Sequence, residues 1–147
     1  MAKDILEEIV AYKRIEVEEQ KKLVPPSLLY NNVEKLMADG QQKSLSMRES
    51  LANSTSGIIA EFKRKSPSKG WIKEEGKPEV IPPSYSENGA SAISILTDEK
   101  YFGGNMGFIR IARPMVKCPI LRKDFIVDEY QLYQAKAIGA NAVLLIA

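Results

Sequence analysis

At 147 residues with 44% hydrophobic content, the chain has the length of one globular domain with a single core. Its formal net charge of +2 is too small for a broad electrostatic case for nucleic acid or an anionic membrane as partner, so any charged substrate has to be met locally. Cys118, the single cysteine, excludes an internal disulfide and fits a reducing compartment, while the absence of histidine excludes a His triad or His metal site and leaves acid–base work to Lys, Glu, Asp or Tyr.

The N-terminus is rich in Asp, Glu and Lys and carries no secretory signal, and the longest apolar run, Ala142 to Ala147, is too short to cross a bilayer. A soluble, cytoplasmic protein is therefore expected. From Asp4 to about Lys22, Ile5, Ile9, Tyr12 and Val17 mark an amphipathic helix that Pro25-Pro26 ends. A second helix is expected from Ser27 to about Ala38, closed by Gly40, and Ser46-x-x-Glu49 reads as the capping box of a short third one.

Ile58 to Gly70 begins as a strand and ends as a loop. Alternation puts Ile59, Glu61 and Lys63 on one side and Ile58, Ala60 and Phe62 on the other, which looks like packing surface. The first face turns from apolar to charged toward Ser66-Pro67-Ser68-Lys69-Gly70, where the strand breaks. Lys63-Arg64-Lys65 taken alone suits a solvated basic patch or a nucleic-acid contact. Neither accounts for a carboxylate on the same face directly after an apolar run.

Lys69 to Glu79 reads as an active-site loop, and Pro82-Pro83 belongs in the first turn of a short helix ending near Asn88-Gly89. Strands are expected at Ala90–Thr97, Pro119–Lys123 and Ala142–Ile146. Between them lie a loop from Asp98 to Asn105, a helix from Met106 to about Val116 interrupted by Pro114, and a helix from Asp128 to Ile138 closed by Gly139. Alternating strands and helices with long connections argue α/β with a parallel sheet. A doubly wound sheet is the rival, but its Gly-rich turn after the first strand is absent.

Three ordered stretches carry a more specific resemblance. Glu61-Phe62-Lys63-Arg64-Lys65-Ser66-Pro67-Ser68 resembles the signature of the indole-3-glycerol phosphate synthase family; Ser94 to Gly104 resembles its second strand and following loop, and Pro119 to Ile126 its third. The resemblance implies a (β/α)8 TIM barrel, whose active sites form at the C-terminal ends of the strands. Residues 1–57 would be an N-terminal helical extension capping the barrel, which in that family also helps enclose the substrate, and residues 58–147 its first half, truncated at strand four. Beyond about the first four strands of a fold of roughly 250 residues lie the family's phosphate site and second glutamate, so an incomplete fragment is expected.

The reaction so implied converts 1-(2-carboxyphenylamino)-1-deoxyribulose 5-phosphate to indole-3-glycerol phosphate, with loss of carbon dioxide and water and without cofactor or metal. Lys123 occupies the family's general-acid position; its plainer alternative is a surface lysine paired with Asp124. Lys63 would meet the anthranilate carboxylate, and Glu61 would hold both lysines in register, unless Glu61–Lys63 is simply a structural ion pair. Ser66 and Pro67 match the loop at the carboxylate end of the substrate, and Phe102, Phe125, Leu144 and Leu96 match the apolar pocket for the ring. Other readings stay open at this point: a non-catalytic half-barrel that self-associates through exposed strand edges or joins a complementary chain, or another phosphosugar-handling barrel enzyme.

Overall fold

The computed structural model describes residues 4–40 and 44–146; Met1–Lys3, Gln41–Lys43 and Ala147, which include the outer ends of the two expected segments, lie outside the described residues. Three helices come first, α1 (Ile5–Leu23), α2 (Pro26–Asp39) and α3 (Met47–Asn53). The Asp4 carboxylate accepts from the Leu6 N–H at 3.0 Å, Glu7 and Glu8 occupy the first turn of α1 and Lys21 and Lys22 its last, so both ends complement the helix dipole. Pro26 opens α2 where no helical N–H is needed, and Gly40 closes it at φ 64°. Ser46 accepts from the Glu49 N–H at 3.1 Å, which starts α3 as the Ser-x-x-Glu spacing predicts.

Among the described residues the strands that follow are β1 (Ile59–Phe62), β2 (Lys65–Ser66), β3 (Gly70–Trp71), β4 (Ala92–Leu96), β5 (Ile120–Lys123) and β6 (Ala142–Val143). They form an all-parallel sheet in the order β1-β4-β5-β6 and a small antiparallel β2-β3 hairpin. The interleaved helices are α4 (Ile81–Glu87), α5 (Glu99–Phe102), α6 (Met106–Ala112) with a 3-10 turn over Arg113–Met115, and α7 (Tyr130–Ile138). No helix among the described residues is long and apolar enough to cross a membrane.

Several elements are shorter than the sequence pattern suggests. The first strand spans only four residues of the Ile58–Gly70 stretch, and the last pairs only at Ala142 and Val143, opposite Leu121 and Arg122, although its apolar run extends to Ile146. Apolar alternation marks a strand, but ladder length is set by the neighbour that supplies hydrogen bonds. The segment after β1 is more ordered than a loop: the Arg64 carbonyl accepts from the Ile72 and Lys73 N–H groups, and the Arg64 guanidinium lies 5.4 Å from the Trp71 ring. The expected loop after β4 contains α5, capped by the Asp98 carboxylate on the Tyr101 N–H at 2.9 Å.

One face of the sheet is the core. Phe62, Ile93, Ile95 and Ile120 pack against Ile109 and Ala112 of α6 and Ala135 and Ile138 of α7, each large side chain contributing about 1.5–3 kcal/mol by burial. At the N-terminal ends of the strands, Arg113 donates to the carbonyls of Gly139, Val116 and Cys118 and to Asn141 Oδ1, which also accepts from the Ile120 N–H. Helix α3 sits at this same end, with Ser50 Oγ donating to the Ser91 carbonyl at 2.6 Å. Helix α1 lies at the opposite end. Its Lys21 bonds Asp128 at 2.7 Å, and Tyr130 Oη donates to the Val24 carbonyl at 2.7 Å, fixing α1 to the start of α7.

Two outcomes follow from this packing. A Cβ added at Gly104 would collide with the Leu96 carbonyl, backbone that cannot yield without dragging the end of β4, so Gly104→Ala should lower unfolding free energy by about 2 kcal/mol or more in urea titration. The Lys21 ammonium, then the Tyr130 N–H, hold the Asp128 carboxyl below its ordinary value of 3.8. The resulting stabilisation is complete above that value and is lost as pH falls through the lower folded-state value. Asp128→Asn should therefore flatten the acid limb of a stability-against-pH curve while leaving the neutral-to-alkaline course of that curve unchanged in shape.

Candidate active site

The site forms where the parallel strands end. The ladder places Glu61 beside Ser94 and Leu96 beside Lys123, so residues two apart on each strand share the uncovered face of the sheet. On β5 the outward Ile120 and Arg122 are buried and the inward Leu121 and Lys123 are half-buried. From there the Lys123 ammonium donates to Glu61 Oε1 at 2.9 Å, Ser94 Oγ donates to the same oxygen at 3.3 Å, and Lys63 Nζ stands 3.8 Å from Glu61 Oε2. One carboxylate thus holds two ammonium groups over one cavity.

That cavity is a slot of about 60 Å³ walled by Leu96, Phe102, Phe125 and Leu144 with Glu61, Lys63 and Lys123 at its polar side. The Phe102 and Phe125 rings face each other with centroids 5.9 Å apart. It shares Lys63, Phe102 and Phe125 with an adjoining groove of about 600 Å³ bordered by Ser66 and Pro67. All nine residues singled out in the sequence line one or both of these neighbouring cavities. The plainer alternative for Lys123, pairing with Asp124, does not occur: Lys123 pairs with Glu61, and Asp124 points to the other side.

Other residues here were not named as site residues from the sequence, although the extension that carries most of them was expected to help enclose the substrate. Ile5, Leu6 and Ile9 of α1 complete the groove. Behind it, Lys13 is buried with its ammonium 2.7 Å from Asp98 Oδ1, 3.1 Å from Asp124 Oδ1 and 3.3 Å from Glu16 Oε2. Burial pushes the Lys13 ammonium down, but Asp124 and Asp98 outweigh it and hold it above its ordinary value. Burial pushes the Glu16 carboxyl up, against the pull of Lys13. Asp124 also accepts from Thr97 Oγ1 at 2.6 Å, from the Phe125 N–H at 2.8 Å and from Arg122 at 3.3 Å. The available signal was spacing: Ile9, Lys13 and Val17 recur every four residues on one face, so Lys13 interrupts an otherwise apolar buried stripe.

Since Glu61 anchors both lysines, Glu61→Gln should free them. Labelling of Lys123 by pyridoxal phosphate and borohydride, read by peptide mass, should rise about threefold or more once this charge-assisted bond is gone; unchanged labelling would show that Glu61 does not restrain Lys123.

The model of the indole-3-glycerol phosphate synthase family matches residues 6–147. The chain is 61% identical over 145 residues to the indole-3-glycerol phosphate synthase of Bacteroides thetaiotaomicron, covering 99% of this chain and 54% of that protein. It is 43% identical to that of Carboxydothermus hydrogenoformans, covering 96% of this chain and 54% of the relative, and 51% identical to that of Leptospira interrogans, covering 71% and 41%. It therefore spans about half the length of the curated relatives it matches. The parallel sheet with alternating helices agrees with part of the (β/α)8 barrel on which this family is built. Family model, ordered motifs and strand-end site coincide along the chain, which belongs to the indole-3-glycerol phosphate synthase family.

Proposed function

We propose that this chain carries the first-half portion of an indole-3-glycerol phosphate synthase active site, acting on the phosphorylated substrate 1-(2-carboxyphenylamino)-1-deoxyribulose 5-phosphate. Residues 1–57 serve in this proposal as the helical extension and residues 58–147 as the first half of the barrel, in a cytoplasmic biosynthetic enzyme. The observation that carries the reading is the convergence of Lys123 and Lys63 on Glu61 beside an apolar slot.

The chemistry follows from that arrangement. The substrate's aromatic ring enters the slot walled by Phe102, Phe125, Leu96 and Leu144, with its carboxylate toward Lys63, Ser66 and Pro67. As the ring carbon bearing the carboxylate attacks the C2′ carbonyl, negative charge grows on the carbonyl oxygen. The Lys123 ammonium donates its proton there. Loss of carbon dioxide restores the aromatic ring, and dehydration then gives the indole: Lys63 protonates the departing hydroxyl, which leaves as water, while a C1′ proton passes to solvent as the ring double bond forms. Glu61 keeps the two ammonium groups aimed at these positions.

A second reading, a half-barrel that pairs with another copy instead of catalysing, draws on the sheet edges. Among the described strands β1 and β6 each pair on one side only, and Leu145 is 70% and Ile58 57% exposed. One experiment separates the two. The chain is assayed by indole fluorescence alone and fused to the C-terminal half of the Bacteroides thetaiotaomicron relative, with mass in solution recorded. Turnover by the fusion, and its fall by about 10²–10⁴-fold in Lys123→Ala with unchanged unfolding midpoint, is expected. A folded fusion without turnover, or a fully active Lys123→Ala variant, would sink the proposed mechanism; a stable dimer of the chain alone with no activity in either form favours the second reading.

A further inference from the structure

The buried cluster behind the site links the first helix to the strand ends in a closed circuit. Lys13 meets Asp124 at 3.1 Å, and Asp124 meets Arg122 at 3.3 Å; Arg122 donates to Gln134 Oε1 at 3.3 Å, and Gln134 donates to Gln20 Oε1 at 2.9 Å. Gln20 returns to Glu16 at 3.4 Å and Glu16 to Lys13 at 3.3 Å. Three elements, α1, β5 and α7, are locked together by directional contacts. Apolar packing alone would not do this, because it is non-directional and tolerates rotation or sliding of a helix. A helix displaced by one turn, about 5.4 Å, would carry Lys13 away from both aspartates.

The position of Lys13 along α1 gives the circuit a functional direction. Ile9 and Ile5 lie one and two turns toward the N-terminus on the same stripe, and with Leu6 they border the groove that shares Phe102 and Phe125 with the slot. Apart from Tyr12, whose ring meets the Lys100 ammonium at 4.0 Å, nothing in the first two turns of α1 is tied to the barrel by a polar contact among the described residues. Ile5 and Leu6 remain substantially exposed, so they contribute little packing of their own to hold the helix down.

We propose that Lys13 is a positioning residue that holds the N-terminal turns of α1 as a roof over the substrate's aromatic end, by anchoring the helix to Asp98 and Asp124 at the strand ends. This rests on the active-site reading above, which it deepens by naming the group that sets substrate affinity from outside the site. Lys13 touches no reacting atom. Asp124 has independent partners in Arg122, Thr97 and the Phe125 N–H, so losing Lys13 leaves Lys123 in place. The expected signature is a rise in KM at nearly constant kcat, as when binding shared equally by ground and transition states is removed.

Lys13→Met alone would strand the two aspartates, Asp98 Oδ1 accepting no other hydrogen bond among the described residues, and that variant risks not folding. The paired change Lys13→Met with Asp98→Asn removes one charge of each sign and keeps an oxygen for the Tyr101 N–H. In the 147-residue chain, amides of residues 6–12 should exchange about tenfold faster in this variant while those of β4 and β5 keep their protection. In the fusion with the Bacteroides second half, KM and the dissociation constant of borohydride-reduced substrate should rise about tenfold, with kcat within about twofold and Lys13→Arg within about threefold of the parent. Unchanged exchange in residues 6–12, or a loss confined to kcat, overturns the proposal. A parent fusion that turns nothing over defeats the active-site reading instead, and the exchange result then decides the role of Lys13 by itself.

Discussion

A lysine ammonium taken out of water between two aspartates is the constraint on which this structure turns. Burying a charge costs several kcal/mol per ion even after relaxation, and only well-placed partners offset it. Lys13 finds Asp98 on the loop after β4 and Asp124 on the loop after β5, so its burial is possible in only one docking of α1 against the strand ends. The same two loops carry Phe102 and Phe125. A contact that is a liability in isolation therefore specifies how the first helix, two loops and the mouth of the sheet fit together.

The two faces of β5 show how the charges are divided. Arg122 and Asp124 lie outward, satisfied by Thr97, Gln131, Gln134 and Lys13 in a buried network. Lys123 lies inward with Glu61, where the face is open. Period-two alternation separates a structural set of charges from a chemical set in three consecutive residues. It also keeps Asp124 from neutralising Lys123, which leaves the Lys123 ammonium available to the cavity.

The sequence was legible where local rules decide. The Ser46 cap, the prolines at the start of α4, the glycine closing α7 and the strand–helix alternation all appear as their chemistry predicts. Glu61 and Lys63 drew attention as a carboxylate and a lysine on one face after an apolar run, and Lys123 through the resemblance of Pro119–Ile126 to the family's third strand. Two features were misjudged for one reason. The extent of β6 and the order within the segment after β1 depend on partners distant in sequence, namely the register with β5 and the Arg64 contacts with Ile72, Lys73 and Trp71. Lys13 was passed over because a lysine on an amphipathic helix is normally a solvated residue.

By itself the sequence determined the α/β class, the order of elements and the residues able to do acid–base chemistry, since propensity, alternation and the lack of histidine are properties of short stretches or of composition. Tertiary structure alone decided which of those residues meet. Glu61 and Lys123 are 62 positions apart and Lys13 and Asp124 are 111 apart, and only the parallel register and the docking of α1 bring each pair within 4 Å. Long-range pairing of charges depends on the net balance between desolvation and attraction at one spot in space, a quantity no local pattern contains.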